Sequence, residues 1–232
     1  MFDAGALLNQ FLGADTGETV QKGKEYLKNN AGSLAGGAAV GGLAGYALGS
    51  KKGKKVAKKA ATYGGMALVA GLAYKAYSNY QQQQQGAPAA IPPQPEAVPQ
   101  LPRDSGFQIE DQSGANSFGA TLVSAMIAAA KADGQIDGSE HQAIFAKIEE
   151  LALDNDQKAF LFDQLNRPLD LDSLVAATAS QEQAVEIYLA SLMAIEVDTP
   201  AEQAYLSMLA ARLNLEPGLV NHIHETLNQA AE

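Results

Sequence analysis

The chain matches itself without a gap when slid by 62 residues, and that repeat limits the folds open to its C-terminal half. Under the shift Ala132 falls on Ala194, Glu140 on Glu202, Ile144 on Leu206, Leu151 on Leu213 and Leu153 on Leu215. The segment LFDQLN (161–166) falls on IHETLN (223–228). Within each copy the apolar residues recur at helical spacing: Leu122, Ala125, Met126 and Ala129 in the first, Leu206, Leu209, Ala210 and Leu213 in the second. No alternating run competes, so strands are not expected. The pattern predicts helices near 118–131, 138–153 and 156–166, then 181–195, 200–214 and 217–229, with a short helix around 171–179 between the copies. The expected fold is all-α: about seven helices arranged as two pseudo-repeated three-helix units.

The first half of the chain has a different character. Residues 1–80 carry ten lysines against four acids, whereas residues 81–232 carry six basic against twenty-two acidic residues. An acidic folded half has the wrong sign to read phosphate, so nucleic acid is not an expected partner. Cysteine is absent, which removes disulfides, thiolate chemistry and Cys-ligated zinc.

Residues 31–50 are uncharged and just long enough to cross a hydrocarbon core of about 30 Å as a helix. Gly37, Gly41, Gly45 and Gly49 recur every fourth residue. In water such a row makes a poor helix, but in lipid it lets two helices approach closely, so self-association through this row is expected. The alternative is a flexible glycine-rich linker. A lysine cluster follows, Lys51, Lys52, Lys54, Lys55, Lys58 and Lys59, suited to anionic lipid headgroups on the cytoplasmic side. Residues 60–74 form a second, shorter uncharged run that could span or lie in the interface. Three topologies remain open: the first run spans, the second spans, or both form a hairpin. The longer first run favours an inner-membrane protein with its C-terminal domain in the cytoplasm. Residues 81–117, glutamine- and proline-rich, read as a disordered tether. The expected division is a membrane module at 1–80, a linker at 81–117 and a helical domain at 118–232.

The chemistry-bearing residues gather in two turns at matching places in the repeat. The first, in AKADGQIDGSE (130–140), holds Asp133, Asp137 and Glu140; the second, in IEVDTPAE (195–202), holds Glu196, Asp198 and Glu202. Capping accounts for part of this set. Asp137 with Glu140, and Thr199 with Pro200 and Glu202, have the spacing of helix starts with a capping box. Asp133, Glu196 and Asp198 exceed what caps require, and hard oxygen ligands converging from two turns suit Ca²⁺ or Mg²⁺. The first turn is not an EF-hand loop, because Ile144 stands where the twelfth-position Glu belongs. Cap and cation site remain the two readings.

Nothing points to an enzyme. No GxSxG, HExxH or phosphate-binding GK[ST] motif occurs. His222 and His224, two residues apart on one predicted helix, point to different faces, and His141 reads as a solvated residue.

The sequence AAAKADGQIDGSE, followed some 60 residues later by AIEVDTPAEQAYLSMLAARLNL, resembles the TerB-like, tellurite-resistance-associated domain family. The preceding glycine-rich segment, lysine cluster and Pro/Gln tether resemble uncharacterised bacterial inner-membrane proteins. The resemblance implies a seven-helix fold in which Asp133, Asp137 and Glu140, and Glu196, Asp198 and Glu202, take a divalent metal. It supplies no biochemical activity. Two functions are therefore expected as alternatives. One is a membrane-anchored, non-enzymatic module with a cation-binding acidic domain, tied to envelope or chemical stress and open to protein partners. The other is an oligomeric membrane-shaping protein driven by the glycine row, with a passive helical head.

Overall fold

The structure is a computed structural model that describes residues 3–12, 56, 59–60, 62–84, 101–102, 105–107, 112–132, 153–195 and 197–231. Eight helices and no strands occur among the described residues: α1 (Ala4–Phe11), α2 (Gly65–Gln84), α3 (Gln112–Ala130), α4 (Asn155–Asn166), α5 (Leu171–Ala176), α6 (Gln181–Met193), α7 (Pro200–Arg212) and α8 (Pro217–Ala230). The all-α expectation holds. The expected helix at 138–153 lies outside the described residues.

The repeat is visible in the elements. α4 and α8 start 62 residues apart, and the C-terminal part of α3 corresponds to α6. Local chemistry sets these starts. Asp154 and Gln157 close a capping box at α4, Asp170 caps α5 and Ser180 caps α6. α7 ends where Asn214 turns left-handed (φ 54°), with Leu215 N donating to Ala210 O at 3.0 Å and Asn214 N to Ala211 O at 3.2 Å. That is a Schellman closure, and asparagine is among the few residues with a side chain that tolerate it.

α6 is the centre. Every residue from Ala184 to Ile195 is buried, with α3, α2, α7 and α8 packed around it. The first expected boundary has to be redrawn here. Residues 60–74, read from sequence as a span or interfacial segment, instead run into α2, whose Leu68, Val69, Leu72 and Ala73 are buried in the same core as α6 and α8. No helix among the described residues is long and apolar enough to cross a membrane. α2 runs antiparallel to α8, with Tyr80 bonded to Glu216, Gln83 Oε1 paired with His222 Nε2 at 2.8 Å, and Lys75 Nζ donating to Gln229 Oε1 at 3.3 Å.

α1 joins the same core. Asp3 Oδ1 caps it at Ala6 N (2.9 Å), and Gln157 Nε2 at the start of α4 donates to Asp3 O at 2.8 Å. Asn9 Oδ1 accepts the amide of Gly65 and so closes the first turn of α2. The α1–α3 crossing is tight: a β-carbon on Gly119 would stand 2.9 Å from Ala4 Cβ. Part of the expected tether is also docked. Phe107 stands edge-on to Tyr74 and Tyr77, with ring centroids 5.9 and 5.8 Å apart. Leu101 and Phe107, both within the expected tether, therefore pack against the core.

Candidate functional site

The second acidic turn has the geometry of the predicted cap. Glu202 N donates to Thr199 Oγ1 at 3.2 Å. Glu202 Oε2 in return accepts from Thr199 N at 3.0 Å, from Thr199 Oγ1 at 2.9 Å and from Asp198 N at 3.2 Å. One carboxylate oxygen thus takes three donors, while Asp198 stays exposed. A cation at this turn would draw on Asp198 and leave Glu202 to the helix start. Among the described residues no group of three His, Asp or Glu side chains converges. Asp133, Asp137, Glu140 and Glu196 lie outside the described residues, and the meeting of the two turns with them.

Gly37, Gly41, Gly45, Gly49, Lys51, Lys52, Lys54, Lys55 and Lys58 likewise lie outside the described residues. Lys59 is described, and its amine donates to Ala230 O at 2.6 Å, at the C-terminal end of α8. A lysine there satisfies a terminal carbonyl and complements the negative end of the helix. The two histidines of α8 go separate ways, as their spacing requires. His222 meets Gln83 and, at 3.5 Å, Glu225, while His224 Nε2 is 2.9 Å from Tyr188 Oη. Burial lowers the pKa of His224 and pushes that of Tyr188 up to about 12.

Sequence reasoning missed a cavity of about 260 Å³ between α3, α4 and α5. Ile127, Phe160 and Leu174 form its apolar wall, and Lys131, Arg167 and Asp170 stand among its polar lining. Each of these three is held in place. Lys131 Nζ donates to Gln164 O (3.2 Å), Leu165 O (2.9 Å) and Arg167 O, closing the C-terminal carbonyls of α4. Burial lowers its pKa. Arg167 pairs with Asp163 at 2.8 Å across one turn. Asp170 accepts from Ser173 Oγ and Ser173 N, which hold its carboxyl below the usual carboxylate range. The lining comes from separate stretches of chain, so no local motif announces it. The available signal was where the repeat breaks, with Lys131 against Met193 and Ser124 against Glu186.

Glu186 is the other group that the sequence did not single out. It sits on α6 at 4% exposure, and no hydrogen bond or ion pair reaches its carboxyl among the described residues. Burial, with Glu182 one turn earlier, pushes its pKa up to about 8. Glu182 packs in turn over Gly106, where a β-carbon would stand 3.0 Å from its Cγ and Cδ. Gly106 has φ 74°, a conformation that suits glycine.

The matching family model, described as "Protein of unknown function (DUF533)", covers residues 33–227. The chain belongs to the DUF533 family. The DUF533 match takes in α2 as well as both copies of the repeat, in keeping with the shared core. An uncharacterized protein in the ampR 5' region of Yersinia enterocolitica is similar, 27% identical over 108 residues, or 47% of this chain and 78% of that protein. No solved structure matches.

Proposed function

We propose that this DUF533 protein is a membrane-held, non-catalytic binding module, with residues 31–50 inserted at the bilayer surface and returning to the same side, and its helical head, α1 included, on the cytoplasmic face. The observation that carries the reading is the bond from Lys59 to Ala230. It ties the end of the lysine cluster to the end of α8, so a cluster resting on anionic headgroups sets the head at the membrane surface with no slack. The burial of α1 and α2 in one core supports this placement, because a single crossing by residues 31–50 would leave α1 on the far side of the bilayer. Lys59 then serves the head, and Lys51, Lys52, Lys54, Lys55 and Lys58 serve the headgroups.

The head would act by binding. The TerB-like character of the acidic turns supports a divalent cation, held by Asp133, Asp137 and Glu140 with Asp198, where it would order two loops without performing chemistry. Fractionation tests the anchor. Deleting residues 31–50 should move the chain from membranes to the soluble fraction, and a reporter fused after Glu232 should be active inside the cell. A full-length chain found only in the soluble fraction, or a fusion active outside, overturns the reading.

A further inference from the structure

α7 turns an apolar face to solvent. Val197, in the turn before the helix, and Ala201, Ala204, Met208 and Ala211 along it follow one another at spacings of four and three residues. That is the a/d spacing of a coiled-coil seam. All five are exposed, Met208 at 46% and Val197 at 37%. The side of α7 that the fold buries is a different one, formed by Tyr205, Leu206, Leu209 and Ala210. The repeat supplies the comparison. Under the 62-residue shift the five seam positions become Gln135, Ser139, Gln142, Ala146 and Glu149. The first copy thus has an ordinary polar pattern where the second has an apolar one. A requirement of the shared fold would show in both copies.

We propose that this face pairs α7 with α7 of a second copy of the chain, antiparallel, with the two-fold axis level with Leu206. The face is complementary to itself in that register, as a two-fold interface must be. Met208 of each copy meets Ala204 of the other, and Ala201 meets Ala211, so large stands against small. Asp198 and Arg212, two heptads apart in the sequence and at opposite ends of α7, then face each other across the axis as two identical ion pairs. Arg212 also holds Asp172, but its side chain is 44% exposed and a guanidinium has donors for a second carboxylate. Elsewhere the heads repel one another, since residues 81–232 carry twenty-two acidic against six basic residues. From Pro200 to Ala211 the only charged residue is Glu202, and its carboxylate is turned back onto Thr199. Two acidic heads can approach here without that repulsion. A helix of 13 residues is about 20 Å long, so the contact belongs to the small, transient class of interface. Confinement to one membrane surface raises the effective concentration that such a pair needs.

The pairing goes beyond the membrane reading and does not depend on it, because cross-links are scored on the full chain in whichever fraction holds it. The chain has no cysteine, so introduced thiols report alone. Full-length chains carrying Ala201→Cys or Ala211→Cys, each with its own tag, are coexpressed and oxidised after cell breakage. A disulfide joining the two tags is expected, at least tenfold stronger than when both tagged chains carry the same substitution. In the antiparallel pair position 201 faces 211, and the two copies of position 201 are ten residues, about 15 Å, apart along the seam. Ala204→Glu in both chains should abolish the joining, and because Ala204 is exposed the fold survives the change. Joining of equal strength with matched substitutions would mean parallel or collisional contact and overturns the proposal. So does a mixture that stays unjoined, the result expected if another segment of this chain or a different protein covers α7. Joining that ignores Ala204→Glu overturns it as well.

Discussion

The ring of Tyr80 lies directly against Gly218: a β-carbon at position 218 would stand 2.9 Å from Tyr80 Cε2. This contact joins α2 to α8, and it makes the sign of a substitution depend on the partner. Gly218→Val should destabilise the chain by about 1–3 kcal/mol through overpacking. In a Tyr80→Ala background the same change should be neutral or favourable, because glycine is a poor helix former. Denaturant melts of the four chains measure the coupling. Equal effects in both backgrounds would mean that Tyr80 does not rest on α8.

The core shared by α2, α6 and α8 sets the smallest folding unit. A fragment of residues 115–232 lacks the cover of Leu68, Val69, Leu72 and Ala73, all buried in the intact chain. It should be helical yet loosely packed, binding hydrophobic dyes and melting without a sharp transition. The full chain, which keeps both these residues and the buried Leu7 and Leu8 of α1, should melt cooperatively. Equal cooperativity in the fragment and the full chain would restore the boundary that the sequence suggested at residue 118.

Glu186 makes stability depend on pH. Its folded pKa of about 8 lies above the ordinary 4.5, so the native state keeps the proton across a range where the unfolded chain has released it. The stabilising contribution is complete below about pH 4.5 and is lost as pH rises through 8. Glu186→Gln, neutral at every pH, should flatten this dependence. At pH 8 it should raise Tm by several degrees, taking about 2–4 °C per kcal/mol for a chain of this size. Parallel pH profiles for the two proteins would count against a buried neutral carboxyl.

The acidic turns separate by their response to cations. Without divalent ions Glu202→Gln should cost about 1 kcal/mol, through the weakened cap on α7. If the turns hold a cation, Ca²⁺ or Mg²⁺ at fixed ionic strength should raise Tm by mass action, and Asp133→Asn or Asp198→Asn should each remove that rise. A shift of equal size in wild type and both variants leaves capping as the whole role of these residues.

Much of the fold was legible because it rests on short-range terms. The expected helix at 156–166 is Asn155–Asn166, that at 200–214 is Pro200–Arg212, and the Thr199–Glu202 box stands where its spacing put it. Caps and apolar periodicity act within about four residues, a distance over which the sequence is its own context. The repeat likewise appears among the described helices, with α3 matching α6 and α4 matching α8.

What only the tertiary structure decided is what each surface is buried against. Residues 68–73 are buried on every side, and a helix apolar all round suits lipid and protein core alike, so residues 60–74 carry no local mark of their partner. The same limit hid Glu186 and the cavity. The second glutamate in QEQAVEIYLASLM reads as a surface residue until α6 becomes the centre of the fold, and a void between helices belongs to no stretch of chain. The sequence alone determined the helices between Asn155 and Ala230 and their starts, but not α1 or the start of α3 at Gln112, inside the expected tether. The choice of what α2 covers depends on packing between residues more than a hundred positions apart, such as Tyr80 and Glu216, which no local pattern encodes.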